Sequence, residues 1–424
     1  MKYSTTNTGS RNKLDFLGVF LFILLILIGW VNIYSVTSDV TQEGFHLSSI
    51  ASRQLFWISG SVLIILVISF TNVVLIDYLS YYIYGFVILL NIAVLFFGKE
   101  VGGAKSWFGF GGVGLQPSEF AKVATAMALS KYLGGYGVRF RGWKHISISI
   151  GLFILPIAII LLQNDTGSAL VFFSFFLVLY REGLPSYILL TALWLGVLSI
   201  LTIYFNSLNL SLVILYISII GLGTIIAYFL RKNRQLLLLT IGISLVSSLY
   251  TGIVSFAYQT IFKQYQRDRI EIVMDLKQDK KGMGYNLEQS KIAIGAGRFS
   301  GRGFQEGTQT KMGFVPEQHT DFIFCTIGEE WGFVGVMSFF IIYLSLLIRL
   351  LFLAERQGNT QGRIFGYSVC SILFFHWFIN VGMTIGIIPI IGIPLPFISF
   401  GGSSLWGFTL LLFIFLRYDQ VRRS

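Results

Sequence analysis

The aspartate at position 321 stands where a long polar stretch of the chain gives way to the apolar run Phe322-Ile323-Phe324. Burial beside apolar side chains raises the pKa of a carboxyl group from about 3.9 towards the range that a general base needs. Asp321 is therefore a candidate general base, and N-capping of the following helix is its alternative role. Glu329 and Glu330 lie roughly 12–14 Å further along the predicted helix, too far to act beside Asp321, and are interpreted as polar packing or cavity residues.

Glu119 and Lys122 form a second candidate group, directly after Gln116-Pro117-Ser118. Proline favours the first turn of a helix, and the helix dipole stabilises a glutamate there, so a helix is predicted from about Pro117 to Leu133. Residues three apart share one helix face. The two charges form either a structural ion pair or the polar wall of a cavity, which ionisable groups inside membrane spans usually face.

Asp165 belongs to a polar turn that runs from Gln163 to Ser168. Its carboxylate is suited to the N-cap of the next helix. Contact with a metal ion or a pyrophosphate is the alternative role of this side chain.

The polar segment 263–320 carries ten of the 31 basic residues of the chain and a cluster of glycines between Gly295 and Gly307. Guanidinium groups bind phosphate through paired hydrogen bonds, and glycine-rich turns let backbone N–H groups approach an anion. The segment is compatible with a pyrophosphate-bearing substrate, with a solvated loop as the alternative because acidic residues nearly balance the basic ones. His319 is either a second acid/base group or incidental. The other side chains singled out are Arg267, Arg269, Gln289, Lys291, Arg298 and Arg302.

These candidate groups are set in a chain of 424 residues that is 54% hydrophobic and only 12% charged, about half the charge of soluble domains. A soluble protein is excluded. The net charge of +11 does not indicate a nucleic-acid partner, since the basic residues lie between apolar runs and form no dense stripe. Cys325 and Cys370 lie in different apolar segments, which indicates neither a disulfide framework nor a metal cluster.

Twelve transmembrane helices are predicted, because a span needs about 20 apolar residues. The first run is too long for the core of a signal peptide and is interpreted as a retained helix. Two later runs contain breaks at 206–211 and 389–404 and are each predicted to form a helix pair. The spans are expected at about 16–38, 54–76, 78–98, 117–133, 146–164, 166–180, 183–205, 212–230, 235–262, 322–348, 364–388 and 405–416.

The distribution of basic residues predicts the orientation of these spans. With the N-terminus inside, 17 of the 31 Lys and Arg residues fall in cytoplasmic segments, as short cytoplasmic loops require. Both termini are then cytoplasmic and segment 263–320 is external. Five of the seven prolines and most glycine clusters also map to the external side, and irregular backbone at membrane depth is tolerated only against protein or a wet cavity. We therefore expect the chemistry on the external face of the cytoplasmic membrane.

Several strings of residues in this chain, among them those around Glu119 and Asp321, resemble the SEDS family (shape, elongation, division and sporulation) of bacterial cell-wall polymerases. Within the family, the chain resembles the elongation-type proteins more than the division-type proteins. The features that carry this are the string Tyr265-Gln266-Arg267 and the proline at position 394. The matching strings are Gln116 to Glu119 with Lys122, Gln289 to Gly295, Pro316-Glu317, His319 to Phe324, Gly328 to Glu330 and Gly392 to Ser403.

The resemblance implies an all-α SEDS-like helical bundle and a peptidoglycan glycosyltransferase that polymerises lipid II during cell elongation and rod-shape maintenance. In the family, the aspartate that matches Asp321 is essential, and the residues that match Glu119 and Lys122 line a polar cavity. Asp321 would deprotonate the acceptor sugar hydroxyl, and undecaprenyl pyrophosphate would leave. The basic side chains of segment 263–320 are candidates to offset the leaving charge, and Ser399 is a candidate cavity residue.

The resemblance also implies partners and, in part, cofactors. A class B penicillin-binding protein that crosslinks the new strands is expected, together with the elongation machinery, and no covalently bound cofactor is expected. A divalent cation, Mg²⁺ or Mn²⁺, is compatible with the chemistry.

The chain departs from the family pattern in two respects. The family typically has ten spans, so 206–258 is interpreted as an extra helical hairpin region within a single membrane domain, 1–424, that has 263–320 as its external catalytic loop. Gln318, Ser106 and Leu115 stand where relatives can carry basic residues.

Three alternative functions are considered: a lipid II flippase, a division-type polymerase and a structural scaffold. A flippase needs polar groups along its whole path, whereas polymerisation needs a base at the outer surface.

Overall fold

The computed structural model describes residues 14–38, 48–110, 113–135, 143–208, 210–262, 264–273 and 283–421. It has the predicted all-α fold of a polytopic membrane protein, with one small sheet. The helices before residue 185 are α1 (Phe16–Thr37), α2 (Ser49–Phe70), α3 (Val73–Phe97), α4 (Pro117–Leu133), α5 (Trp143–Leu162), α6 (Thr166–Val171) and α7 (Phe175–Arg181). The later ones are α8 (Ser186–Ser207), α9 (Leu212–Leu230), α10 (Arg234–Phe256), α11 (Gln264–Val273), α12 (Met283–Ala296), α13 (Thr308–Lys311), α14 (Ile323–Glu355), α15 (Thr360–Ile385) and α16 (Gly402–Gln420).

Nine helices in the described part of the chain are long and apolar enough to cross a membrane. They are α1, α2, α3, α5, α8, α9, α14, α15 and α10 extended by a π-helical turn to Ile261. The other three predicted spans coincide with α4, with α16, and with the α6–α7 pair, which a 3₁₀ turn at Phe172–Ser174 interrupts. The helix breaks predicted at 206–211 and 389–404 are confirmed, since α8 ends at Ser207 and α15 ends at Ile385.

The chain divides into two compact units. The first holds α1–α7, α13–α16 and most of α12, whereas the second holds α8–α11 with residues 386–390. In the second unit, polar contacts between helices include the Trp194 indole N–H, which donates to Ser247 Oγ (2.9 Å), and Ser199 Oγ, which lies 2.8 Å from the Tyr250 hydroxyl.

A three-stranded antiparallel sheet between α3 and α4 was not predicted, and here the expectation of irregular glycine-rich backbone was wrong. Its strands are β1 (Lys99–Val101), β2 (Ala104–Phe110) and β3 (Val113–Leu115). Val101 pairs with Ala104 across the two-residue turn Gly102-Gly103, in which φ is +61° and +83°. Two consecutive positive φ angles suit the tightest hairpin turns, and glycine adopts them without strain.

The helix that follows Asp321 is divided by a glycine. It begins at Ile323, as predicted to within one residue, but Gly332 has φ +62° and ψ −158° and separates residues 323–331 from residues 333–355. Residues 323–330 are all buried. The part of segment 263–320 that the structure describes is more ordered than the predicted loop, since it contains α11, α12 and α13.

Candidate functional site

Asp321 lies between α14 and a non-helical segment that precedes α16, residues 391–401, which we call the proline segment. The Asn380 side chain on α15 donates from Nδ2 to the backbone carbonyl of Asp321 (2.8 Å) and to that of Ile393 (2.7 Å). The carboxylate lies against Gly392, where a β-carbon would stand 3.1 Å from Asp321 Oδ2. The N-cap of α14 is Phe322 and no side chain caps that helix, so the alternative role of Asp321 as an N-cap is not observed.

Further contacts attach the turn before Asp321 to the proline segment. Ser399 Oγ donates to the carbonyl of Thr320 (2.6 Å) and accepts from the N–H of Leu395 (2.8 Å). The N–H of Phe400 donates to the carbonyl of His319 (2.9 Å), and the two rings meet edge to face at 5.7 Å. The backbone of residues 319–321 is thus held on both sides, and the predicted site residues Asp321, His319 and Ser399 come together.

Partial burial favours the neutral form of the His319 imidazole. Desolvation lowers the pKa of His319, and the nearby Glu317 carboxylate opposes this only in part. A neutral imidazole carries one donor and one acceptor nitrogen, so it can exchange protons with a polar ligand. His319 is close to Asp321 in the sequence, and in the structure its side chain is packed within the turn.

Glu119 and Lys122 form a buried ion pair on α4, with 3% and 1% of their surfaces exposed. Lys122 Nζ lies 2.8 Å from both Glu119 carboxylate oxygens and 2.8 Å from His376 Nε2 on α15. His376 Nδ1 lies 3.1 Å from the carbonyl of Pro394. A carbonyl can only accept and an ammonium can only donate, so this network assigns a neutral His376 with its proton on Nδ1.

The proline segment therefore joins the two groups of candidates. Asn380 bonds the carbonyl of Ile393 and also that of Asp321. His376 bonds the next carbonyl, that of Pro394, and also contacts Lys122. The predicted ion pair is observed, and it is connected to Asp321 through hydrogen bonds rather than by direct contact.

Asp165 has the capping role expected from its sequence position. Its Oδ1 accepts the backbone N–H of Ser168 at the start of α6 (2.9 Å), and its Oδ2 accepts the Ser168 hydroxyl (2.8 Å). Gln116 Nε2 donates to the same Oδ2 (2.9 Å), while the N–H of Gln116 donates to Ser403 Oγ (3.0 Å). Asp165 thus connects α6 to the start of α4 beside the proline segment.

The basic candidates after α11 lie on or after α12. Lys291, Arg298 and Arg302 are exposed and Gln289 is half-buried. The exposed side chains are available to an anion.

The glycines around Arg298 and Arg302 have a packing role instead of the predicted anion-binding one. A β-carbon on Gly297 would lie 1.9 Å from the carbonyl of Gly328, and one on Gly301 would lie 2.1 Å from that of Glu330. The N–H groups of Gly301, Arg302 and Gly303 all donate to protein carbonyls, those of Gly297, Glu329 and Glu330. These N–H groups are therefore committed to protein carbonyls, and those of Arg302 and Gly303 hold the turn against α14.

Glu329 and Glu330 are structural groups, as interpreted from the sequence. The Glu329 carboxylate accepts the N–H groups of Gln309 and Thr310 (both 2.8 Å) at the start of α13. Glu330 accepts a short hydrogen bond from Ser35 on α1. Glu329 therefore anchors the chain that leads to Asp321, and Glu330 links α14 to α1.

Arg267 and Arg269 belong to the second unit, on α11. The guanidinium of Arg267 stacks over the ring of Tyr258 at 5.5 Å and donates to the carbonyl of Gln259. The Tyr258 hydroxyl donates to Glu271 (2.9 Å). Within this unit, Arg267 is held in place by an aromatic ring and a carbonyl.

Within the described residues, no three His, Cys, Asp or Glu side chains lie close enough together to hold a metal ion. Mg²⁺ is often bound by one or two carboxylates together with substrate phosphates. Asp321 as a single carboxylate fits that arrangement, and the predicted divalent cation stays a prediction.

The candidate site residues predicted from the sequence include neither His376 nor Asn380. The signal that could have found them is their spacing: two polar residues four apart in the apolar run 364–388 share one helix face.

Comparison with known proteins places these features in context. The family model FTSW_RODA_SPOVE, described as cell cycle protein, matches residues 16–219 and 209–424. The chain is 34% identical to the peptidoglycan glycosyltransferase RodA of Treponema pallidum (strain Nichols), covering 92% of this chain and 94% of that protein. It is 32% identical to the peptidoglycan glycosyltransferase MrdB of Escherichia coli (strain K12), covering 76% and 73%.

A solved structure has the same fold over nearly the whole chain. It was described under the heading "Structural coordination of polymerization and crosslinking by a peptidoglycan synthase complex". The match has a TM-score of 0.70 at 27% identity and covers 97% of this chain and 99% of that one.

Proposed function

The chain belongs to the FtsW, RodA and SpoVE family of cell cycle proteins, and from this premise we propose that it is the elongation-type peptidoglycan glycosyltransferase of its cell. Its relatives RodA and MrdB are named as peptidoglycan glycosyltransferases. The substrate is then lipid II, the undecaprenyl-pyrophosphoryl disaccharide-pentapeptide. The observation that carries the assignment of roles is Asp321, a carboxylate at the entrance of a buried half-helix on backbone fixed by Asn380 and Ser399.

In the proposed reaction, Asp321 removes the proton from the acceptor sugar hydroxyl. The resulting oxygen attacks the anomeric carbon of the donor in one inverting displacement, and the bond to undecaprenyl pyrophosphate breaks. A positioned base contributes about 10²–10⁴ in rate, so orientation and electrostatics must supply the rest. Arg298, Arg302 and Lys291 are exposed cations that can offset the charge of the leaving pyrophosphate.

A divalent cation, if bound, would be held by the substrate phosphates together with a carboxylate of the chain and would supply Lewis-acid stabilisation of the leaving group. Asp165 would act on this site indirectly, through Gln116 and Ser403 at the start of α4 and α16. Glu119 and Lys122 would keep the cavity wall polar and in register with the proline segment.

The location and partner follow from the same premise. The distribution of basic residues supports an orientation with both termini in the cytoplasm and Asp321 at the external face of the membrane. The related synthase complex supports a crosslinking partner, a class B penicillin-binding protein, within the elongation machinery.

Polymerisation of labelled lipid II by the purified protein together with its partner tests the proposal. The wild type is expected to form long glycan strands, and Asp321→Asn is expected to form none while purifying as a folded protein. Glu306→Gln, which removes an exposed carboxylate from the same segment, is the matched control and should retain activity. Full polymerisation by Asp321→Asn would contradict the assignment of the base.

The alternative function, lipid II transport, gives a different result in the same preparation. A flippase reconstituted in vesicles would move labelled lipid II between leaflets and form no polymer. That outcome for the wild type would replace the polymerase proposal with the transporter.

A further inference from the structure

Two side chains of α15 hold consecutive carbonyls of the proline segment. His376 and Asn380 are one helical turn apart and therefore share a face, and neither has any exposed surface. His376 bonds the carbonyl of Pro394, and Asn380 bonds the carbonyl of Ile393. Residue 394 is a proline and has no N–H of its own, so this stretch depends on side chains for part of its hydrogen bonding.

The Asn380 amide uses both of its N–H bonds to join backbone that is distant in sequence. Its Nδ2 donates to Asp321 O (2.8 Å) and to Ile393 O (2.7 Å). Because both partners are carbonyls, the orientation of the amide is fixed with nitrogen towards them. One nitrogen thus sets the separation between the Asp321 backbone and the residue that follows Gly392.

Another buried asparagine is bonded in a different way. Asn32 on α1 is 2% exposed, yet its Nδ2 donates to the carbonyl of Ile28 in its own helix (2.7 Å). That bond satisfies the side chain locally. Asn380, in contrast, donates to two segments outside α15, and one of them is the residue assigned as the general base.

We propose that Asn380 is a positioning residue for Asp321. Its amide holds the Asp321 backbone at a set distance from Gly392 and Ile393, and His376 keeps the same segment in register with Lys122. The inference rests on the proposed function for its effect on rate, but the position of residue 321 can be measured without substrate.

The first experiment measures steady-state polymerisation of lipid II by the Asn380→Leu variant, which keeps the branched shape of the side chain and removes its donors. We expect kcat per folded molecule to fall about 10- to 100-fold, as a misplacement of about 1 Å can cause. KM should stay close to the wild-type value because substrate contacts remain. The matched control Asn32→Leu should keep the wild-type kcat.

The second experiment needs no substrate. In an Asp321→Cys background, the rate of maleimide labelling at position 321 should change when Asn380→Leu is added and should not change with Asn32→Leu. An unchanged labelling rate, a wild-type kcat for Asn380→Leu, or an equal loss in Asn32→Leu would overturn the proposal. If Asn380→Leu does not fold, Asn380→Asp, which keeps at most one donor, decides the question by the same two measurements.

The two proposals fail in distinguishable ways. A wild-type protein that makes no polymer would refute the polymerase function, and the labelling rates would still report whether Asn380 sets the position of residue 321. A polymerising wild type with an indifferent Asn380 would refute only the positioning role.

Discussion

The α-carbon of Gly392 lies against the carboxylate of Asp321, so closely that a β-carbon there would stand 3.1 Å from Oδ2. The backbone φ of Gly392 is +76°, where a side chain costs about 1–2 kcal/mol. Gly392→Ala is therefore expected to displace either the carboxylate or the proline segment. We predict a loss of polymerisation of about tenfold or more, measured with lipid II at saturation.

The control for this substitution is Gly183→Ala. Gly183 also has a positive φ, +106°, but a β-carbon there would meet nothing within 4 Å. Because of backbone strain, Gly183→Ala should have a lower thermal stability, but its polymerisation per folded molecule should change little. Equal losses of activity in the two variants would contradict a specific effect on Asp321.

Ser399 offers a second way to loosen the same turn. Ser399→Ala removes the donor to Thr320 O and the acceptor of Leu395 N–H. Leaving such buried groups unsatisfied costs about 1–3 kcal/mol, and we expect lower activity together with a lower unfolding temperature. Ser399→Thr keeps the hydroxyl and should retain most of both.

Ser368→Ala provides the comparison for Ser399→Ala. Ser368 is also fully buried, but its hydroxyl donates to the carbonyl of Ile364 in its own helix, a bond that adds little to helix stability. The variant should resemble the wild type in both measurements. If it loses as much as Ser399→Ala, general sensitivity of buried serines is the better explanation.

The buried ion pair of Glu119 and Lys122 predicts strong coupling in a double-mutant cycle. Removing one partner of a buried pair costs about 3–5 kcal/mol, because a charge remains without compensation. Glu119→Gln and Lys122→Met should each lower the unfolding temperature strongly. The double variant should lose less stability than the sum of the two single losses. Simple additivity would show that the pair is not coupled.

How far the sequence predicts the structure depends on the range of the interactions. The helices follow from apolar run length, and the N-cap at Asp165 and the start of α4 at Pro117 follow from local rules. Asp321 could be identified because a single ionisable residue at a boundary between polar and apolar sequence stands out, and the resemblance supported it.

Contacts between distant parts of the chain could not be predicted. The bond from Asn380 to Asp321 spans 59 residues, and the contact of Lys122 with His376 spans 254. Neither has a local pattern beyond two polar residues in an apolar run. The glycines after α12 were misinterpreted for the same reason, since a need for backbone-to-backbone packing looks identical in sequence to an anion-binding turn.

That packing role gives a prediction of its own. Gly297→Ala and Gly301→Ala would place β-carbons 1.9 Å and 2.1 Å from carbonyls of α14, and overpacking of this kind costs about 1–3 kcal/mol or more. Both variants should unfold at lower temperature. Gly295→Ala lies in the helix α12 with nothing within 4 Å, so it should gain up to about 1 kcal/mol from helix propensity.

Thermal unfolding of the three variants in one detergent tests this contrast. If Gly297→Ala and Gly301→Ala are as stable as Gly295→Ala, the turn is not packed against α14 as described. A stable Gly297→Ala protein with altered phosphate dependence would instead restore the anion-binding interpretation.

His319 predicts a specific dependence of stability on pH. Burial lowers its pKa in the folded protein below the ordinary value of 6.5, so below pH 6.5 the unfolded chain binds a proton that the folded protein excludes. Stability should therefore fall as the pH drops from 6.5 towards the folded pKa, and it should be independent of His319 above that range. His319→Gln, which cannot be protonated, should lose this component, seen as a smaller drop in unfolding temperature between pH 7 and pH 5. Parallel pH curves for wild type and variant would mean that the imidazole is as accessible to protons in the folded turn as in the unfolded chain, contrary to its partial burial against Phe400.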